Sequence, residues 1–158
     1  MVTMALPLTA GIIGLVVDEG WLFFRKEAAT AAAEAAALAG GVQVYKANTA
    51  SSSITCNSGV VWCNTTPQQC ASSPTYPPHN SFDTACLYAK ANGFQVGTNV
   101  NVTVEASNST APTAPSTSNA YYLTVRITEK NPLTFLSVLG AGLWGWASAR
   151  SSSGVNLS

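Results

Sequence analysis

Four cysteines carry the most definite chemistry in this 158-residue sequence: Cys56, Cys63, Cys70 and Cys86. Their spacing is Cys-x6-Cys-x6-Cys-x15-Cys, inside a stretch rich in Ser, Thr, Asn and Pro. An even number of closely spaced cysteines in such a setting points to thiol oxidation, two disulfides made in an oxidising compartment. Three pairings are possible and the spacing does not choose among them. The rival chemistry is a zinc site, but the usual Cys-x2-Cys spacing is missing.

The second candidate is a knot of charge near the start. Asp18 and Glu19 precede an aromatic patch that includes Phe23 and Phe24, and Arg25 and Lys26 follow it. One reading is an interfacial ladder, with acids and bases reaching to water at the edge of an apolar layer. The other is pairing between subunits, with a buried acid on one stem meeting a base on the next and setting the register of assembly.

Catalytic chemistry has little to stand on. The single histidine, His79, sits in the loop Tyr76-Pro77-Pro78-His79-Asn80, and Asp83, Glu105 and Glu129 read as isolated carboxylates. No nucleophile elbow, phosphate loop, zinc-protease helix or calcium loop occurs. The expectation is a protein that is not an enzyme and takes no metal and no cofactor. Asn64-Thr65-Thr66, Asn101-Val102-Thr103 and Asn108-Ser109-Thr110 match the N-glycosylation triplet, which counts only in a host that glycosylates.

The elements that must position these residues begin with a stem. Met1 to Val17 has no charged side chain, and Ala28 to Ala39 is nearly all alanine. Leu, Ile and Val surround the axis, so residues from about Ala5 to Ala39 read as one helix that needs shelter all round. Pro7 is expected to kink its first turns. Gly11 and Gly14 allow close approach of a neighbouring stem, and Gly40-Gly41 reads as the C-terminal stop. No basic arm precedes the apolar run, which suggests a processed or trimmed start rather than a signal peptide still to be removed.

Charged residues make up only 9% of the chain against 47% hydrophobic, where soluble domains carry about 25% charge. None lies between Lys46 and Asp83. Such a neutral polar surface suits a cell-surface or secreted protein. The formal net charge is zero, so nucleic acid is excluded as a partner.

The remaining elements follow from periodicity. Val42 to Tyr45 reads as a first strand, and 48–80 as a disulfide-held loop region around Val60-Val61-Trp62. Ser81 to Asn92 reads as a helix capped by Ser81 and stopped by Gly93. Val96, Val100, Val102 and Val104 alternate, as do Tyr121, Leu123, Val125 and Ile127, and the two stretches pair antiparallel. Asn131-Pro132 then opens an apolar segment, Leu133 to Ala149, read as a second helix, followed by a polar, mobile tail. The fold class is α+β: a long hydrophobic helix on a small antiparallel sheet, pilin-like, with a C-terminal apolar helix. The divisions are 1–41 (stem), 42–131 (extracellular α+β domain) and 132–158 (apolar helix and tail).

The stem carries a family resemblance. Gly11-Ile-Ile-Gly-Leu-Val-Val-Asp18-Glu-Gly20, then Ala28 to Gly40, resembles the N-terminal segment of TadE/TadG-like proteins of bacterial tight-adherence, Flp-type pili. Asp18, Gly20 and the Ala35 to Gly40 run match its pattern, and Glu34 stands where an aspartate is usual. Ala85 to Gly93 and Tyr121 to Thr128 look like the family's later helix and strand. The resemblance implies a membrane-anchored or filament-associated, pilin-like component, with prepilin-type processing in some relatives; the acidic residue usual at the fifth position of a processed pilin is replaced by Ala5.

Three roles are then weighed. The first is a structural subunit of an extracellular filament, polymerised through its stems after a stage in the inner membrane, beside other pilus components. Its assembly residues would be Pro7, Gly11, Gly14, Asp18, Glu19, Phe23, Phe24, Arg25 and Lys26. The second is a membrane-anchored accessory or adhesion protein of such a system. The third is a secreted glycan-binding domain with Trp62, Tyr76, Tyr121 and Tyr122 on one face, against the plainer reading that these rings fill core and contacts.

Overall fold

The computed structural model describes residues 2–50, 53–108, 120–137 and 144–157. Element order is α1 (Val2–Asn48), β1 (Asn64–Gln69), α2 (Ser81–Ala91), β2 (Val100–Ser107), β3 (Ala120–Pro132), α3 (Thr134–Ser137) and β4 (Trp144–Asn156). The strands form one sheet in the order β1-β2-β3-β4, every neighbour antiparallel. Both longer helices pack on its inner face.

Alternation places the core. Val102 and Val104 of β2 and Tyr121, Leu123, Val125 and Ile127 of β3 are buried, and register sets Val102 beside Ile127 and Val104 beside Val125. Against them lies the alanine face of α1: Ala29, Ala32, Ala33, Ala36 and Ala37 at helical spacing.

The helix does not stop at Gly40-Gly41. It runs on to Asn48, so the strand expected at Val42 to Tyr45 is helical. Both glycines are contact points. A Cβ on Gly40 would stand 2.9 Å from Leu123 Cδ1, and one on Gly41 2.7 Å from Ser153 Oγ. The contact requires residues without side chains, and it carries Val44 into the core at full burial. That burial offsets the helix propensity lost at glycine, about 1 kcal/mol each. Asn48 Nδ2 then donates to Val44 O at the true end.

The apolar C-terminal helix is absent too. Thr134–Ser137 makes one turn, and β4 pairs along its whole length with β3, from Pro132 opposite Trp144 to Ala120 opposite Asn156. Residues 138–143 of the expected helix lie outside the described residues. The tail expected to be mobile, 151–156, is half of that strand. The inward side of β4 carries Gly145, Ala147, Ala149, Ser151 and Ser153, and Ser153 Oγ donates to Ala37 O at 2.6 Å. Small residues meet small residues, so helix and strand approach closely.

α2 matches its expected span, with its cap one residue earlier. Asn80 Oδ1 accepts from Asp83 N, and Asp83 Oδ2 accepts from His79 N. At the other end Gly93, at φ +90°, donates to Lys90 O, while Phe94 N donates to Ala89 O, a Schellman closure. Its buried side is Thr84, Ala85, Cys86 and Ala89, and Tyr88 is exposed.

Candidate functional site

The first part of α1 is inside-out. Gly14, Asp18, Leu22 and Arg25 face the protein's own sheet and α3, at spacings of four, four and three. Around the rest of the helix Ile12, Ile13, Val16, Phe23 and Phe24 are each more than half exposed. Two charged groups, Asp18 and Arg25, point inward while large apolar side chains point outward, unlike a helix lying on a soluble core.

Each inward residue has a partner within the chain. Phe135 of α3 sits over Gly14, whose missing Cβ would stand 2.7 Å from Phe135 Cβ. Asp18 is 5% exposed. Its carboxylate accepts from Thr134 N at 3.1 Å and from Phe135 N at 3.1 Å, and so caps the first turn of α3. Arg25 makes a two-pronged pair with Glu129, Nε to Oε2 at 2.8 Å and Nη2 to Oε1 at 2.6 Å, with its guanidinium 5.0 Å from the centre of the Phe94 ring. The hydrogen bond to Glu129 holds the guanidinium's pKa above its ordinary value, partly offset by burial.

The knot therefore divides. Asp18 and Arg25 are satisfied inside the chain, Asp18 by backbone amides, while Glu19 and Lys26 are exposed. Pro7 and Gly11 lie within α1 but outside the residues whose side chains are described. Sequence reading missed Glu129 as the partner of Arg25: the two are 104 positions apart and no local spacing links them. Nor is Glu105 isolated, for Arg150 of β4 reaches it across β3.

The cysteines pair as Cys56–Cys63 and Cys70–Cys86. The first closes the loop before β1. The second ties the end of β1 to α2. Among the described residues no group of three or more His, Cys, Asp or Glu side chains gathers to hold a metal. Polar residues of the outer sheet face, Thr103, Glu105, Arg126 and Arg150 among them, line a depression of about 320 Å³. The four rings suggested as a glycan platform are not equally available: Tyr121 is fully buried, Trp62 packs on Phe82, Tyr122 is partly buried beside Gly154, and Tyr76 is exposed.

Among the described residues no helix is long and apolar enough to cross a membrane. Residues 1–43 match the family described as putative Flp pilus-assembly TadE/G-like. The N-terminal segment is TadE/G-like. The match covers nearly all of α1 and ends before the sheet and the disulfides. No curated protein and no solved structure matches the chain. The matched segment holds both the inside-out turns and the buried alanine face of α1.

Proposed function

We propose that this TadE/G-like protein is a structural subunit of an extracellular, Flp-type pilus-like filament. The family match supports involvement in a Flp/Tad pilus system, with cell-surface association and other pilus components as partners. The observation that carries the finer role is the inside-out segment of α1. Ile12, Ile13, Val16, Phe23 and Phe24 together expose more apolar surface than a dissolved monomer keeps. They find cover in lipid before assembly and against sister stems afterwards. The sheet, α2 and both disulfides form a head carried on that stem. The role is architectural, with no catalysis.

Shearing cells and sedimenting the released material without detergent tests the reading. The protein is expected in the filamentous pellet. Recovery only from membranes, as single copies that need detergent, would move it to the anchored accessory role. A dissolved single-copy species would end both.

A further inference from the structure

We infer that the head itself, and not only the stem, docks on a lipid surface, through a girdle of exposed aromatic rings at its stem-side end. The inference rests on the lipid stage of the proposed function and adds a second set of contacts to it.

The girdle is assembled from unlinked elements. Trp21, Phe23 and Phe24 belong to α1, and Trp144 and Trp146 to β4; each is between 46 and 68% exposed. Large aromatic side chains are normally well buried in a dissolved protein, so five such rings at one level need an explanation.

Their level along the molecule can be worked out. β4 runs parallel to α1: Gly145 lies against Leu22, and Ser153 against Gly41. Leu22 to Gly41 is about 28 Å of helix, and Gly145 to Ser153 about 26 Å of strand, so the two advance together. Trp144 therefore stands one strand step, about 3 Å, below Leu22, near the level of Gly20. Trp21, Phe23, Phe24 and Trp144 fall within about 6 Å of height. Trp146 is about 7 Å beyond Trp144, near the level of Phe24, so the five rings span about 7 Å. The polar zone on each side of a bilayer is about 5–7 Å deep, which matches this band.

The chemistry is that of an interface. Tryptophan favours the boundary between headgroups and acyl chains, where its ring is sheltered and its N–H stays wet. Lys130 Nζ lies 4.4 Å from the Trp144 ring centre and 5.9 Å from that of Trp146, and Lys26 is exposed nearby. Cations at that level suit anionic headgroups. Below the band the exposed Ile and Val side chains of α1 continue the apolar surface.

Geometry favours lipid over a second protein. Phe23 and Phe24 are exposed on the helical layer, and Trp144 and Trp146 on the far face of the sheet. A protein partner seated on one layer leaves the other wet. A planar lipid surface that takes up the apolar turns of the stem meets both at one height.

The test reconstitutes the full chain in phosphatidylethanolamine/phosphatidylglycerol vesicles containing lipids brominated at defined depths. Subtracting the emission of a Trp144→Phe/Trp146→Phe variant isolates the two sheet rings. Subtracting that of Trp21→Phe isolates the stem ring. All three positions are exposed, so these changes leave the core intact. We expect the sheet rings to be quenched about twofold by bromines near the carbonyl groups, and less by bromines at the bilayer centre, since the interface lies at the former depth. Quenching of Trp21 with none of the sheet rings overturns the girdle and leaves the lipid stage standing. No quenching of either overturns both. Sheet rings shielded from iodide without bromine quenching would mean a protein covers them, which also overturns the inference.

Discussion

Tyr121 joins three segments through one hydroxyl. Trp62 N donates to Ser81 Oγ, Ser81 donates to Tyr121 Oη at 2.8 Å, and Tyr121 donates to Trp62 O at 2.8 Å, a closed ring inside the core. Burial pushes the phenol pKa up to about 12 from 10.0, partly opposed by the Ser81 hydrogen bond. In the unfolded chain the phenol ionises near 10, so its contribution to stability is full below that pH and is lost as pH rises toward 12. Unfolding in urea at stepped pH is expected to show a loss of about 3 kcal/mol over this window, and Tyr121→Phe is expected to remove most of it. Arg25 gives a second expectation. Glu129→Ala leaves a guanidinium with little water and no counter-charge. A fully buried pair broken this way costs about 3–5 kcal/mol, and the 22% exposure of Arg25 brings the expected loss to about 2 kcal/mol, readable as a shift in the urea midpoint. Neither the ring nor the pair was legible in the sequence, because both join residues far apart that only the finished fold brings together.

The contact between α1 and β4 decides what the elements are. Leu22, Ala37 and Gly41 of the helix meet Gly145, Ser153 and Val155 of the strand, and Gly40 beside them meets Leu123 of β3. Gly40→Ala is expected to destabilise by about 1–3 kcal/mol, since the new methyl meets Leu123 Cδ1 and the Ser81 carbonyl. Gly20→Ala meets nothing within 4 Å and is expected to stabilise by about 0.5–1 kcal/mol through helix propensity alone. Thermal melts of the two variants in the same detergent check the opposite signs. The same contact explains where sequence reading went astray. Sequence pattern assigns large apolar residues to the inside, and that worked for β2 and β3, whose inward side chains are Val, Leu, Ile and Tyr. In β4 the large rings point outward and the inward positions are small, so alternation looked like a glycine-broken helix. In α1 a glycine pair that usually ends a helix is instead the place where two layers touch. The cap and the glycine closure of α2 are local features, and their signals were readable.

At the scale of the whole molecule, the alanine-rich contact buries little area per residue, and the covalent ties matter accordingly. Cys70–Cys86 spans 16 positions and fastens α2 to the sheet edge. Replacing both by alanine is expected to cost about 3 kcal/mol by the loop-closure account, with Cys56→Ala/Cys63→Ala costing less because its loop spans only 7. Denaturant titration of the two double variants, each against the parent protein, checks the order. The α+β class, the stem and the presence of disulfides were legible from composition and periodicity. The pairing of the cysteines and the extent of the sheet were not, since both depend on which segments meet.

Because the last strand climbs alongside the first helix, the polypeptide leaves the fold at the pole opposite its stem. Val155 lies against Gly41, about 28 Å of helix beyond Leu22, and Leu157 follows it. A peptide epitope grafted after Leu157 would be carried outermost and offered to an antibody while the stem stays covered, so the chain already has the polarity of a display scaffold.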